Sequence, residues 1–430
     1  MPFIINSFFL FALLPFISPI PYSSDVQPLA FILGALLIFI ATIKNKIVLT
    51  KIDIYLFVLA IISYIYINYQ SEYLYENGVA SANNSLRRQV GLTFVLIIYL
   101  ATKNFIHSLD FRILYFVIYI QTFFTILNIY FANIYNAIVS NFIRVIKIDF
   151  TTYEGFRGAS GLTIEPAYLA GSAVAYLIIA SYFWKKKKIS NLVYLMAIIP
   201  CTFLIFVSKS ALGVILLFLV LFYIFLEIID LKKLILALFT ILSLYIFSPY
   251  INYTDIKYSN LIEENRGMRL LQKATDEGFS KIIRDKSFVD KFTPIYVGYL
   301  SLKENPIGNG IGSYPLAVID NQEIIEKDLN ACTRLDVMYD RSTIPTCVTK
   351  APSAFGLYTT EFGYLFIFFL ITLFFKQNNN FILSTFIKGI GLLFILTAFS
   401  ITFPLIWIIL ALLSVDDDRY KKMYNTEKET

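Results

Sequence analysis

The residues that could do chemistry begin with an arginine and a glutamate eight positions apart. Residues 157–171 read Arg157-Gly158-Ala159-Ser160-Gly161-Leu162-Thr163-Ile164-Glu165-Pro166-Ala167-Tyr168-Leu169-Ala170-Gly171. A loop loosened by glycines carries a guanidinium into a Glu-Pro pair, and an apolar run follows. Proline disfavours the α conformation of the residue before it, so a helix is expected to start at Pro166. Glu165 then stands at the mouth of that helix, where the helix dipole favours an anion. A carboxylate held beside lipid needs a partner or water, and Arg157 is the nearest candidate. Together they suit proton abstraction from a hydroxyl and a two-point grip on a phosphate.

Further candidates lie downstream. Glu361 sits in Ser353-Ala354-Phe355-Gly356-Leu357-Tyr358-Thr359-Thr360-Glu361-Phe362-Gly363, at the start of another apolar run. An acid inside a membrane helix is either functional or a polar packing partner. Glu304-Asn305-Pro306-Ile307-Gly308-Asn309-Gly310-Ile311-Gly312 places glycine at every second position after a proline. This implies a tight backbone path with accessible N–H groups at Gly308 and Gly310. It neither follows a strand nor opens a βαβ unit, which excludes the dinucleotide reading. Arg269, Arg284 and Lys291 precede it as candidate anion-binding cations. Cys332 and Cys347 share a polar stretch and would suit a disulfide in an oxidising compartment. Cys201 reads as a small apolar core residue. The sole histidine is His107, and no Cys/His group has metal-ligand spacing, so neither metal nor cofactor is expected.

The elements that must position these residues are membrane helices. The chain has 430 residues, 57% of them hydrophobic and 17% aromatic, with a mean hydropathy of +0.68. Such a composition is foreign to soluble domains. Apolar runs predict helices near 3–20, 26–43, 52–69, 89–102, 111–135, 163–183, 190–207, 211–229, 233–249, 354–375, 381–399 and 400–414. The last two could instead be one helix near 389–413, giving eleven rather than twelve. The first is read as a retained helix, because no basic region precedes it. Residues 250–353 form one large loop between the ninth and tenth helices, too long for a simple connection. Within it, 287–303 predicts an amphipathic helix on the membrane surface, with Phe288, Phe292, Ile295, Tyr299 and Leu302 on one face. The chain is otherwise read as a single transmembrane domain over 1–430.

Basic residues set the orientation. One set of loops and the C-terminal tail carries sixteen, among them Lys44, Lys46, Lys51, Lys103, Arg112 and Lys185 to Lys188. The short loops of the other side carry six: Arg87, Arg88, Arg144, Lys147, Arg157 and Lys209. Both termini are therefore expected in the cytoplasm, with Arg157, Glu165 and the large loop outside. The net charge of +6 is a topology signal and implies no nucleic-acid partner. Six outer cations exceed what topology wants. They are either solvated side chains or an anion-binding surface, and their company with Glu165 favours the latter as a group.

In this order the motifs resemble the O-antigen polymerase/ligase-like superfamily of bacterial membrane proteins. The matching residues are Arg157-Gly158 with Gly161 and Glu165-Pro166, then Ser208-Lys209-Ser210 with Gly213. Asn305-Pro306 with Gly308, Gly310 and Gly312 follows, and then Glu361 with Gly363. The resemblance covers about 150–410. It implies an all-α, GT-C-like polytopic fold in the bacterial inner membrane with a periplasmic site. Members join lipid-linked repeat units into a polymer or ligate the finished polysaccharide to a lipid A core. Ligase-like members tend to carry a histidine nine residues before the E-x-G glutamate, where this chain has Pro352. The chain is therefore more similar to the polymerase (Wzy-type) branch. The implied substrates are undecaprenyl-pyrophosphate-linked glycans, made into O-antigen, capsule or exopolysaccharide by a metal-independent, inverting transfer. A chain-length regulator and a flippase are the implied partners, beside membrane lipids. An arginine common in the family is Lys291 here, which supplies charge without a planar fork, so Arg269 or Arg284 would carry that role. Glu165 is the first choice of base and Glu361 the second. A rival from another class is a lipid-linked oligosaccharide flippase. Such transporters usually show internal repeats and polar residues near the bilayer midplane.

Overall fold

The computed structural model describes residues 1–17, 27–44, 46–62, 82–142, 158–163, 165–228, 286–311, 313–321, 323–325, 353–375, 381–397 and 403–415. Among these residues every extended element is a helix. In chain order they are α1 (Pro2–Leu13), α2 (Pro28–Ile43), α3 (51–62), α4 (Ala82–Phe105), α5 (Phe111–Tyr130), α6 (Ala132–Phe142), α7 (Pro166–Lys185), α8 (Asn191–Val207) and α9 (Ala211–Ile228). There follow α10 (Lys286–Glu304), α11 (Tyr314–Asp320), α12 (Ala354–Phe362), α13 (Tyr364–Phe375), α14 (Phe381–Leu396) and α15 (Pro404–Ser414).

Local chemistry explains the boundaries. α2, α7 and α15 each begin on a proline, which lacks the N–H that a first helical turn cannot use. Asp110, Ser190 and Ser353 cap α5, α8 and α12 by accepting a backbone N–H from the first turn. α7 starts at Pro166 as its sequence requires. The helix expected at 111–135 is instead two, meeting at Phe131, and the one expected at 354–375 is broken at Gly363. The last two predicted helices are separate, as α14 and α15. The helix predicted at 233–249 lies outside the described residues, as does most of the large loop.

The exterior is apolar. α8 exposes Leu192, Met196, Ile199 and Phe206, α9 exposes Phe218 and Phe222, and α13 exposes Phe368, Ile371 and Phe375. Stripes of this size on several helices are what lipid, not water, would cover. Three helical stretches, Val90–Ser108, Phe111–Tyr130 and Pro166–Lys185, are long and apolar enough to cross a membrane. The pattern fits a helical membrane protein. α7 is its central helix, buried along nearly all its length. Its alanines, Gly171 and two serines let neighbouring backbones come close, as small residues do in membrane interfaces.

Loops rich in basic residues meet at one end. Val48 donates its N–H to Asn104 Oδ1 at 2.8 Å, which ties the α2–α3 loop to α4. Asp110 donates to Asn6 Oδ1 of α1 at 3.1 Å. His107 lies against the Tyr182 hydroxyl at 3.2 Å, and Lys188 donates to the His107 carbonyl. Lys46, Lys103 and Lys185 to Lys188 therefore share a side, as the charge pattern expected. One electrostatic link there is buried: Lys103 pairs with Asp53 and donates to Thr50 Oγ1 at 3.0 Å.

Removing one partner of that buried pair strands the other charge. Lys103→Ala should destabilise the protein by about 3–5 kcal/mol. The double replacement Asp53→Leu/Lys103→Met should recover most of that loss. Thermal unfolding in detergent measures both. A Lys103→Ala protein as stable as wild type would show that the pair is not closed in the membrane.

Candidate functional site: two backbone clamps beside two glutamates

The loop before Glu165 is irregular, so its backbone groups need partners outside any helix. It finds them on three helices. Ala159 donates its N–H to the Val207 carbonyl at the end of α8, at 3.0 Å. Ser160 donates to Asn128 Oδ1 of α5 at 3.2 Å. The Tyr135 hydroxyl of α6 donates to the Gly161 carbonyl. Thr163 closes the turn, its hydroxyl lying 2.7 Å from the Ser160 carbonyl and 2.9 Å from that of Glu165.

Two glycines make this path possible. A Cβ on Gly158 would run into the Ser208 carbonyl and stand 2.7 Å from Lys209 N. Gly161 has φ of +56°, and a Cβ there would come 2.9 Å from Gln121 Nε2. Gly158 is thus seated directly on Ser208-Lys209. Lys209 itself holds a φ of 48°. Ser210 Oγ accepts the Gly213 N–H at 2.7 Å and caps α9. Two motifs more than forty residues apart in sequence form one corner.

Glu165 is the residue this corner presents. It sits in extended conformation at the start of α7, and its carbonyl accepts the N–H groups of Tyr168 at 3.0 Å and Leu169 at 3.2 Å. Its side chain is exposed and caps no N–H of its own helix. Among the described residues its carboxylate has no hydrogen-bond or ion-pair partner. Arg157 lies outside the described residues, so the expected Arg157–Glu165 contact is not addressed. Arg269, Arg284, Cys332 and Cys347 also lie outside them. Lys291 lies on α10, and only its backbone is described.

The second clamp joins the other two motifs. Asn309 donates its N–H to the Thr360 carbonyl at 2.8 Å, and Gly310 to the Glu361 carbonyl at 3.0 Å. In return Tyr364 donates to the Pro306 carbonyl at 2.8 Å. Gly308, Gly310 and Gly363 have φ of 93°, 86° and 58°. A Cβ on Gly308 would stand 2.5 Å from the Glu361 carbonyl oxygen, and one on Gly363 2.6 Å from Gly308 N. The glycines predicted to offer N–H groups to a ligand thus spend Gly310's on the broken helix end. Glu361 itself is 3% exposed, packed inside rather than open to the outside. Gly308, Gly310 and Glu361 are brought together, at a place in the fold distinct from the 158–163 loop that precedes Glu165.

The aromatic face of α10 carries the exposed Phe292 and Tyr299, and the positions buried against protein are Pro294, Val297, Gly298, Leu300 and Ser301. The physical reason is close packing on α12. A Cβ on Gly356 would stand 2.8 Å from Pro294 Cβ, and one on Gly298 3.2 Å from Gly356 Cα. Small residues, not large ones, decide which face turns inward here.

His107 cannot serve the Glu165 corner. Its partner Tyr182 is seventeen residues along α7 from Glu165, a helical rise of about 25 Å. Asn128 and Tyr135 escaped notice in the sequence. The signal was there, because Gln121, Thr125 and Asn128 recur at i, i+4 and i+7 on an otherwise apolar α5, and all three are buried. No family model, curated protein or solved structure matches the chain.

Tyr135→Phe leaves the Gly161 carbonyl buried without its hydroxyl, which should cost about 1–3 kcal/mol. Gly308→Ala forces a left-handed alanine against a carbonyl and should cost about the same or more. Both should lower the thermal midpoint in detergent. An unchanged midpoint in Gly308→Ala would dissolve the second clamp.

Proposed function

We propose that the chain is a membrane glycosyltransferase that joins lipid-linked oligosaccharide repeat units into a polysaccharide, with Glu165 as base. The observation that carries this reading is the Glu165 carboxylate. It is exposed at the helix mouth and has no partner among the described residues, at the end of α7 opposite Lys185 to Lys188. The order of the four motifs supports it, and so does their pairing into two clamps.

In the proposed reaction Glu165 takes the proton of an acceptor sugar hydroxyl. The freed oxygen attacks the anomeric carbon of a second glycan, and the bond to undecaprenyl pyrophosphate breaks with its electron pair. Arg157 would neutralise the charge growing on that diphosphate, aided by Arg269, Arg284 and Lys291. Such a base contributes roughly 10²- to 10⁴-fold. A single displacement inverts the anomeric centre. The outer side of Glu165 would be the periplasm and the basic end the cytoplasm. The chain-length regulator and flippase implied by the resemblance remain proposed partners.

The test is chain length at the cell surface. Glu165→Ala, Glu165→Gln and Arg157→Ala should each abolish long polymer at normal membrane levels, and Arg157→Lys should recover little. Single repeat units on the acceptor lipid are the expected residue. Wild-type chain length in Glu165→Gln would remove the base. Recovery by the charge-swapped Arg157→Glu/Glu165→Arg would reduce the two to a structural pair. Polymer accumulating on the carrier lipid after gene deletion would indicate a ligase, and no surface glycan at all a flippase.

A further inference from the structure

We infer that the seam between α5 and α8, at the basic end of the bundle, holds an anionic phospholipid, with an acyl chain along the seam and the phosphate against Arg112 and Lys187. The inference holds whatever reaction the chain performs.

The seam comes first. α5 and α8 both begin at the basic end and run side by side. The Tyr115 hydroxyl donates to the Val193 carbonyl at 2.7 Å, and the Tyr119 hydroxyl to that of Met196 at 3.2 Å. Beside this contact α5 carries Arg112, Phe116 and Tyr119 at i, i+4 and i+7, all exposed. α8 carries Leu192, Met196 and Ile199 at the same spacing, also exposed. Residues so spaced share one helix face. Two apolar stripes thus adjoin, and the one on α5 ends in a guanidinium. That order suits a molecule with an apolar tail and an anionic head.

The α7–α8 loop brings a second cation to the head of the seam. Lys188 donates to the His107 carbonyl, in the turn five residues before Arg112. α8 begins three residues after Lys188, at Asn191. The loop and the start of α5 therefore share one corner. Lys187 is exposed there, with φ of 57°. Its N–H bonds the Trp184 carbonyl at 2.9 Å, and that of Lys188 the Phe183 carbonyl at 3.0 Å. Lys187 is thus the left-handed residue that ends α7. Glycine takes that position without strain, and lysine does not. Rings hold its neighbours, Lys186 lying over Tyr182 and Lys188 over Phe183. The half-buried Trp184 donates through Nε1 to Asn191 at 2.8 Å and marks the headgroup level.

Topology asks only that basic residues lie on one side, anywhere in its loops. A guanidinium heading an apolar seam, and a lysine where glycine fits better, go beyond that need. The acids of this corner already have duties. Glu227 pairs with Lys185, and Asp110 caps α5 by accepting the Arg112 N–H.

The test titrates full-length protein in detergent with phosphatidylglycerol, or with phosphatidylcholine of the same acyl chains. Native mass spectrometry counts the lipid bound. Phosphatidylglycerol should bind on the order of tenfold more tightly, since each basic residue at a membrane surface contributes several-fold. Arg112→Gln/Lys187→Gly should remove that preference without lowering the thermal midpoint, because glycine suits the turn. Arg112→Lys should keep it, and so should the charge-matched Lys44→Gln/Lys51→Gln. Should the double variant fail to fold, Arg112→Gln alone should cut the preference several-fold, and no loss there rejects the site. Equal binding of the two lipids by the unaltered protein would overturn it. Equal loss in Lys44→Gln/Lys51→Gln would reduce it to a general charge effect. Glycerol phosphate, a head without chains, should not compete, and competition by it would reject the seam.

Discussion

The constraint on which this structure depends is that backbone polar groups away from water must find partners in protein. Helices solve it internally. The chain departs from helix at the places where its motifs sit, and at each place it borrows partners. The 158–163 loop takes a carbonyl from α8, an amide oxygen from Asn128 and a hydroxyl from Tyr135. The Asn305–Ser313 turn and the break at Gly363 satisfy one another. Glycine is required at Gly158 and Gly308 because these borrowed bonds bring two backbones closer than a Cβ permits. The motifs are therefore first of all docking sites between chain segments. Whatever chemistry they support is held in place by that docking.

This also explains what was legible in the residues. The start of α7 could be read because Pro166 acts locally, through its own ring. Caps at Asp110, Ser190 and Ser353 are local in the same way. The break at Gly363 could not be read, since its cause is a carbonyl from Pro306, fifty-seven positions away. The face that α10 turns toward protein was hidden for a related reason. Hydrophobic periodicity reports which face avoids water, but beside lipid both faces can be apolar. Packing was then decided by Gly298 and Gly356, residues with no hydrophobic signal at all. The pairing of Gly158 with Ser208-Lys209 was equally hidden, because the order of motifs along a chain does not say which of them touch.

Charge is distributed by the same logic. At the basic end, Lys103 is buried with Asp53, and the half-buried Lys185 pairs with Glu227. These pairs are closed and hold loops and helices together. At the opposite end of α7 the carboxylate of Glu165 is exposed and, among the described residues, has no partner. An acid that pins helices is found with its cation already engaged. An acid that must receive a proton from a substrate cannot be so engaged, because the cation would hold its charge. Openness is thus a property the proposed base needs and a structural acid does not.

The same argument separates the two glutamates. Glu361 is nearly sealed, and its carbonyl is committed to Gly310. It lies two residues before the helix break at Gly363. Glu165 tops a helix of 20 residues, about long enough to cross that core unaided. A sugar hydroxyl arriving from water meets Glu165 first and would have to leave water to reach Glu361. A diphosphate on a polyprenyl chain, by contrast, is delivered from within the lipid. If both acids take part in the proposed reaction, their exposures divide the work. Glu165 faces the incoming acceptor, and Glu361 fixes the clamp beside which the lipid-borne donor would be held.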